Sequence, residues 1–190
     1  MVQGKLFVVC GPSGVGKKTL LSRLVKNTKL NLHVNISCTS RAPREGEIDQ
    51  KDYYFITKKR FQELIKEEKF LEYAYFFGEY YGTLQAPLEL LLNSGKNVIL
   101  EIEIIGFQQL KKKLKDFVSI FIYPPSASKL KERLEARCTE NEQEIKERIQ
   151  KAESELKEIS QFKYKVLNDF VDKALRELTQ IFSRELGLNS

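Results

Sequence analysis

Residues 6–19 read LFVVCGPSGVGKKT, and this stretch decides the class of fold. A short apolar run is followed at once by a loop with the spacing GxxxxGK, which Gly11, Gly16 and Lys17 satisfy. Glycines at such positions let successive backbone N–H groups curl around phosphate oxygens, and the lysine adds a positive charge at the start of the next helix. The stretch therefore predicts a buried strand, a phosphate-binding loop and a helix. The predicted loop residues are Gly11, Pro12, Ser13, Gly14, Val15, Gly16, Lys17, Lys18 and Thr19.

Three more apolar runs follow along the chain, at residues 98–102, 118–122 and 164–167, and the last of them is weaker. They are rich in β-branched and aromatic residues, as expected of strands that are buried on both faces of a parallel sheet. Segments with the helical spacing of leucine and isoleucine lie between them. This strand–helix–strand order predicts an α/β fold, in which helices flank a parallel sheet and the crossovers are right-handed.

Two regions fit that sheet less well. Residues 34–86 are rich in tyrosine, glycine, proline and charge, and residues 127–158 have the pattern of a charged helical pair. We interpret both regions as insertions at one end of the sheet, where the ligand-binding segments of α/β proteins usually lie.

Composition excludes several classes of protein. The 190 residues suffice for one domain and are short for two, and 32 basic against 26 acidic residues give a net charge of +6, which favours an anionic partner. The chain has no apolar run of about 18 residues and no recognisable secretory signal, so we expect no membrane span and no export. Three cysteines without CxxC spacing and a single histidine argue against a zinc site or a disulfide scaffold and favour a reduced, cytoplasmic protein.

Other classes of anion-binding protein fit less well. The basic run at residues 111–115 lacks the stacking aromatic residues typical of nucleic-acid binding, so a solvated helix face is the simpler interpretation and we expect no nucleic-acid partner. A GTPase needs an NKxD motif to select guanine, and the sequence has none. The chain is also small for a motor ATPase.

A second candidate anion site lies in the first insertion. Arg41 and Arg44 flank Pro43, and forked guanidinium groups suit a phosphate dianion better than lysines do. Residues 52–55 then alternate as in a strand and carry tyrosine hydroxyls. Glu72 supplies a carboxylate able to accept from both N1–H and the exocyclic amine of guanine, a pair of donors that adenine lacks. Each feature alone fits a solvated turn or core packing, but their order after a phosphate loop favours a nucleotide acceptor.

Taken in order, these motifs resemble those of the guanylate kinases, which transfer a phosphoryl group from ATP to GMP. The matching stretches are GPSGVGK, SxTxRxPRxGE, DYxF, FLEY, YYGT, LEIExxG, IFIYPPS and RxxxR followed by VLND. The resemblance implies one domain in three parts: a core, a small mixed α/β GMP-binding insert and a helical lid. The implied bounds are residues 1–33, 87–126 and 159–190 for the core, 34–86 for the insert and 127–158 for the lid.

The resemblance also implies the roles of individual residues. The implied catalytic residues are Lys17, Arg41, Arg44, Arg133, Arg137 and Arg148. The implied ATP contacts are the phosphate loop, Arg133, Arg137 and Asn168. The implied GMP-binding residues are Ser37, Arg41, Arg44, Glu47, Tyr53, Glu72, Tyr81, Thr83, Glu101 and Glu103. Mg²⁺ is the implied cofactor, with no strong protein ligand and with Thr19 or Glu101, acting through water, as the candidates.

Several positions depart from the family's usual pattern. Lys18 stands where it has Ser or Thr after the lysine, so a direct hydroxyl ligand to the metal is not assured. Glu103 replaces an aspartate, Ile105 replaces a glutamine, and Cys138 stands where the lid often has glycine. None of these changes removes a group that phosphoryl transfer requires.

Two alternatives remain within the same resemblance. One is a related scaffold domain that binds phosphopeptides and has lost the ATP site, but the loop from Gly11 to Lys17 and the lid arginines argue against it. The other is a kinase for a different nucleoside monophosphate, and here Glu72 and Thr83 favour guanine. For oligomeric state, we expect a monomer or a homodimer.

Overall fold

Strands and helices are distributed along residues 3–76, 78–136 and 142–188, the part of the chain that the computed structural model describes. The strands are β1 (Leu6–Cys10), β2 (Leu32–Val34), β3 (Cys38–Thr39), β4 (Tyr54–Phe55), β5 (Phe70–Phe76), β6 (Glu79–Leu84), β7 (Asn97–Glu101), β8 (Val118–Tyr123) and β9 (Tyr164–Leu167). The helices are α1 (Lys17–Leu24), α2 (Lys58–Lys66), α3 (Gln85–Asn93), α4 (Ile104–Lys113), α5 (Ala127–Glu135), α6 (Glu142–Lys157) and α7 (Val171–Glu185).

The apolar runs of the sequence form the larger sheet. Its five strands have the order β2-β7-β1-β8-β9. β1 pairs in parallel with β8, where Val9 lies opposite Ile120, and β8 pairs in parallel with β9, where Ile120 lies opposite Tyr164. Every residue of β1 is buried, as a strand covered on both faces requires. The predicted α/β fold with a parallel sheet is therefore confirmed.

The chain forms two compact units, and one of them contains residues 7–32 and 118–190. In this unit β1, β8 and β9 pack with α1, α5, α6 and α7, and the ring of Phe7 stacks on that of Phe182 with centroids 4.1 Å apart. The charged segment forms the predicted pair of helices, α5 and α6. The apolar contact between them is made by Leu130, Leu134, Ile145, Ile149 and Ala152.

The other unit contains residues 1–6 and 33–117 and includes a second sheet. Its four strands have the order β4-β3-β6-β5, in which β6 is antiparallel to both β3 and β5. The alternating pattern of residues 52–55 forms a strand only over Tyr54–Phe55. Phe61 of α2 anchors this sheet, because its ring stacks on Phe70 and Tyr80 at centroid distances of 4.2 and 5.1 Å.

The implied division into core, insert and lid follows other boundaries than these two units and stays a prediction. Within the described ranges, no helix is both long and apolar enough to cross a membrane.

Replacing Phe61 by alanine should lower the free energy of unfolding by about 3–5 kcal/mol, since its ring is completely buried between two others. Urea unfolding followed by circular dichroism measures the change. Phe61→Leu keeps more of the buried volume and should cost less. Phe170→Ala removes a ring that is 70% exposed and should change stability by only about 0.5 kcal/mol. Equal effects of the two alanine substitutions would contradict the assignment of Phe61 to the core.

Candidate functional site

The loop between β1 and α1 has a backbone that requires glycine. Gly11 has φ +149° and Gly16 has φ +97°, both in a region that favours glycine. A Cβ at Gly11 would collide with the carbonyl oxygen of Ile122, and one at Gly16 would lie 2.6 Å from Nδ2 of Asn168. The loop is thus fitted closely against the ends of β8 and β9. This geometry is that of an anion-binding loop that leads into a helix N-terminus.

Lys17 begins α1 and folds back over the loop. Its ammonium donates to the carbonyl oxygens of Gly11 at 2.6 Å and Pro12 at 3.2 Å. These bonds hold the positive charge above the loop that the sequence predicts to bind phosphate. Lys18 and Thr19 follow on the first turn of the helix and are exposed.

Two of the three predicted lid arginines lie against this loop. The guanidinium of Arg133 donates to the carbonyl oxygens of Asn168 at 2.9 Å, Asp169 at 3.3 Å and Val15 at 3.4 Å. Arg148 donates to the hydroxyl of Ser13 at 2.8 Å. The third predicted arginine, at position 137, lies outside the described residues, as does the cysteine at position 138.

The acidic neighbours of Arg133 on α5 pair with lysines. Glu132 lies 2.6 Å from Lys129, and Glu135 lies 3.7 Å from Lys131. Arg133 bonds to the loop and to the residues after β9, while these two glutamates pair with lysines on the surface of α5.

Asn168 follows β9 and is 2% exposed. Its Nδ2 donates to the carbonyl oxygen of Val15 at 2.7 Å, which ties the end of β9 to the loop. Its Oδ1 has no hydrogen-bond partner within the described ranges. A buried acceptor of this kind lowers stability unless something donates to it, so it marks a place where a ligand N–H group fits.

In the other unit, Glu47 organises the two arginines of the second predicted anion site. Arg41 Nη2 donates to Oε1 of Glu47 at 3.0 Å, while Nη1 lies 2.9 Å from Oε2. The backbone N–H of Arg44 donates to the same Oε2 at 2.7 Å. Burial opposes ionisation of Glu47, but the hydrogen bonds from Arg41 and Arg44 outweigh it and lower the pKa of the carboxyl. The carboxylate therefore fixes the direction of the Arg41 guanidinium.

Aromatic side chains line this arginine. The guanidinium carbon of Arg41 lies 5.5 Å from the ring centroid of Tyr53 and 5.7 Å from that of Phe55, within the range of cation–π attraction. Tyr81 meets Tyr53 edge to face at 6.3 Å. Burial, with a smaller contribution from the charge of Glu101, raises the pKa of Tyr53 to about 12. The phenol therefore stays protonated at neutral pH and can act as a donor.

Glu72 on β5 lies directly opposite Thr83 on β6 and is only 4% exposed. Burial raises the pKa of the Glu72 carboxyl to about 7, and the charge of Glu103 raises it too, whereas hydrogen bonds from Thr83 and the charge of Lys113 lower it. The Thr83 hydroxyl is close enough to act on the carboxyl but completes no well-formed hydrogen bond within the described part of the chain. This buried acceptor is suited to take N–H donors of a ligand.

The remaining predicted residues of this unit lie at the ends of elements. Ser37 precedes β3, and its carbonyl oxygen accepts from the N–H of Tyr54 at 2.9 Å. Glu101 is the last residue of β7, and Glu103 directly precedes α4. Their charges act on Tyr53 and Glu72 respectively, so both acids lie near residues of the predicted site.

The contribution of α4 to this unit was not predicted from the sequence. Gln109 and Lys113 bond to the backbone of β5, and Lys113 donates to the carbonyl oxygens of Phe70 and Leu71 at 3.1 and 2.6 Å. Lys113 is exposed, as the interpretation of the basic run as a solvated face implies, yet its ammonium also bonds to β5. Residues 106, 109 and 113 share one helix face, and this spacing is the signal that would have revealed the contact.

The candidate metal ligands fit a weakly held ion. Within the three described ranges, no group of three His, Cys, Asp or Glu side chains is placed to hold a metal. Thr19 offers one exposed hydroxyl and Glu101 one half-buried carboxylate. Mg²⁺ keeps several waters and binds mainly phosphate oxygens in many proteins, so either residue taken alone is compatible with an ion that arrives with a phosphate ligand.

Comparison with known proteins places this geometry in a family. The guanylate kinase family model matches residues 3–185. A guanylate kinase of Synechocystis sp. is 44% identical over 184 residues, which cover 97% of this chain and 96% of that protein. A guanylate kinase of Thermus thermophilus is 41% identical over 184 residues, which cover 97% of this chain and 83% of that protein. The crystal structure of guanylate kinase from Anaplasma phagocytophilum matches with a TM-score of 0.77 at 27% identity, over 97% of this chain and 87% of that one.

The raised pKa of Glu72 predicts an unusual pH dependence of stability. The carboxyl releases its proton near pH 4.5 in the unfolded chain and near pH 7 in the folded one, so the folded state binds more protons between these values and loses stability as pH rises. The amide of a Glu72→Gln variant does not titrate in this pH range, so its stability lacks this pH dependence. The stability of this variant relative to the parent should therefore rise by about 3 kcal/mol from pH 4.5 to pH 8, as measured by urea unfolding.

Glu79→Gln is the matched control for this experiment. Hydrogen bonds from Ser40 and Lys58 lower the pKa of Glu79, so its titration lies below pH 4.5. The stability difference between this variant and the parent should be flat from pH 5 to pH 8. A flat difference for Glu72→Gln as well would show that its carboxyl titrates normally in the folded chain.

Proposed function

The chain belongs to the guanylate kinase family, and we propose on this basis that it catalyses the reversible transfer of the γ-phosphoryl group of ATP to GMP, giving ADP and GDP, with dGMP as a second acceptor. The observation that carries the choice of acceptor is the buried Glu72 carboxylate opposite Thr83. Guanine presents two adjacent N–H donors, at N1 and at the 2-amino group, and an ionised carboxylate accepts both. Adenine, cytosine and uracil do not present that pair.

On the donor side, the loop and its lysine bind the phosphates of ATP. The left-handed backbone at Gly11 and Gly16 turns N–H groups toward one anion, and Lys17 adds a charge whose position is fixed by two carbonyl oxygens. Arg133 and Arg148, held against the same loop, neutralise charge on the transferred group, and Arg137 shares this role. Asn168 accepts from the adenine amino group through its Oδ1, which has no partner within the described residues.

On the acceptor side, Arg41 and Arg44 clamp the phosphate of GMP. Glu47 orients Arg41, and the protonated phenol of Tyr53 supplies a neutral donor beside it. Ser37 and Tyr81 complete the set. Planar guanidinium forks match the geometry of a phosphate dianion and restrict its orientation, which serves an enzyme that must align an attacking oxygen.

Base recognition is assigned to Glu72 and Thr83, with Glu101 and Glu103 near by. The Glu72 carboxylate must be ionised to accept two N–H groups, and binding of those donors favours the ionised form that burial disfavours. The Thr83 hydroxyl, which has no well-formed partner within the described residues, adds a further polar contact.

The chemistry then needs positioning and charge neutralisation more than proton abstraction. The attacking atom is already an anionic phosphate oxygen, so a strong general base is unnecessary, and the chain contains a single histidine. Mg²⁺ bound to ATP supplies charge neutralisation at the phosphates, and Thr19 or Glu101 would contact it through water.

Lys17→Met should lower kcat/KM for GMP phosphorylation by roughly 10²- to 10³-fold, because it removes a fixed positive charge from the transferred phosphates. A coupled assay for ADP release measures this. The control is Lys26→Met, which removes an exposed lysine just beyond α1 and should leave turnover unchanged. Full activity of the Lys17 variant would contradict the proposal that this loop and its lysine bind the phosphates of ATP.

Glu72→Gln should lower kcat/KM for GMP by roughly 10- to 100-fold and leave KM for ATP unchanged, since the amide replaces one acceptor by a donor that opposes the guanine amine. The same assay with GMP, dGMP, AMP, CMP and UMP should show a weaker preference for guanine nucleotides over the others than in the parent. Glu153→Gln, an exposed carboxylate, is the control. An unchanged preference in the Glu72 variant would remove this residue from base recognition.

A further inference from the structure

Helix α4 contacts the strand that carries Glu72 on both sides of that residue. We propose that α4 positions the Glu72 carboxylate and thereby sets base selectivity, with Gly106 as the specificity-determining gap and Gln109 and Lys113 as positioning residues. The proposal rests on the proposed function, because it takes Glu72 as the group that recognises guanine.

Gln109 supplies the pairing that β5 lacks at the edge of its sheet. β5 is the last strand in the order β4-β3-β6-β5, so among the described residues no strand of that sheet lies along its other side. The Gln109 Nε2 donates to the carbonyl oxygen of Tyr73 at 2.6 Å, and its Oε1 accepts from the N–H of Tyr73 at 3.1 Å. One side chain thus reproduces both hydrogen bonds of a strand partner, at the residue directly after Glu72.

Lys113 holds the backbone directly before Glu72. The pairing of β5 with β6 is irregular between Phe70 and Glu72, so the regular ladder does not fix this part of the strand. The Lys113 ammonium donates to the carbonyl oxygens of Phe70 at 3.1 Å and Leu71 at 2.6 Å. The strand is therefore held at the three residues that bracket Glu72. The positive charge of Lys113 also favours the ionised carboxylate.

Gly106 leaves room for the Glu72 carboxylate because it has no side chain. A Cβ at this position would lie 2.9 Å from Cδ of Glu72 and would collide with its Oε2. Gly106 is in the first turn of α4, where alanine would favour the helix more than glycine does. Its φ lies outside the left-handed region, so the backbone itself does not require glycine there. The approach of Glu72 is the physical reason for the missing side chain.

A double-mutant cycle tests the gap. Gly106→Ala should raise KM for GMP by roughly tenfold and reduce the preference for GMP over IMP, which lacks the 2-amino group, while kcat and KM for ATP change by less than about twofold. Glu72→Asp shortens the carboxylate by one methylene and weakens GMP binding by itself. In that background the added methyl has room, so Gly106→Ala should have little further effect. Equal effects of Gly106→Ala in the two backgrounds would overturn the proposal.

Matched pairs of variants test the strand contacts. Gln109→Leu and Lys113→Met should each raise KM for GMP and lower the preference over IMP, by roughly three- to tenfold, with kcat less affected. Gln108→Leu and Lys112→Met make the same chemical changes at exposed neighbouring positions and should be silent. A positioning role is refuted if the Gln109 and Lys113 variants behave like their controls, or if kcat and the melting temperature fall while the KM values for GMP and ATP change alike.

The outcomes separate this proposal from the proposed function. Turnover of GMP by the parent protein and its loss of guanine preference on Glu72→Gln test the function. If both hold and Gly106→Ala leaves the GMP-to-IMP preference unchanged, only the role of α4 is wrong. Isothermal titration with GMP, without ATP, gives the same comparison for binding alone.

Discussion

The arrangement of the phosphate loop depends on one steric constraint: three elements meet where no side chain fits. Gly11 lies against the backbone of β8, and Gly16 lies against Asn168 after β9. Because parallel strands deliver their carboxyl ends to the same edge of a sheet, β1, β8 and β9 bring the loop, Asn168 and the partners of Arg133 together. The buried strands thereby determine where the loop's N–H donors point. They also determine where α1 begins, because Gly16 of the loop is directly followed by the first residue of that helix.

In the unit that contains residues 33–117, the main constraint is the burial of the Glu72 carboxylate away from water. Burial opposes the charge of Glu72, while the charge of Lys113 and the Thr83 contacts offset only part of that penalty. Such a group weakens the isolated fold at neutral pH and becomes favourable when a ligand donates to it. A side chain that destabilises the folded chain is better explained by binding than by packing. Glu72 is therefore a stronger candidate for direct ligand contact than Glu47, whose carboxylate already accepts hydrogen bonds from Arg41 and Arg44.

How far the sequence could predict this structure follows from how each element is stabilised. β1, β7 and β8 are nearly continuous apolar runs, so local composition was enough to predict them, whereas β9 contains Lys165 and gave a weaker signal. β2, β3 and β4 have only two or three residues and exist because of the partners they meet, which periodicity does not reveal. The phosphate loop was predictable from motif spacing, whereas a role for Glu47 beside Arg41 was implied only by the resemblance. The contact of Lys113 with β5 was predictable only from its spacing to Gly106 and Gln109, because the lysine run taken alone has the pattern of a solvated face.

The contact between Arg41 and Glu47 has a consequence for the entropy of ligand binding. A free arginine side chain samples many rotamers, and a ligand that captures it must offset the entropy lost when one is selected. Here the carboxylate, the carbonyl oxygen of Ala42 and two aromatic rings already select the conformer during folding. In the proposed function, Glu47 thereby favours binding of the GMP phosphate through Arg41, although it carries the same sign of charge as the phosphate.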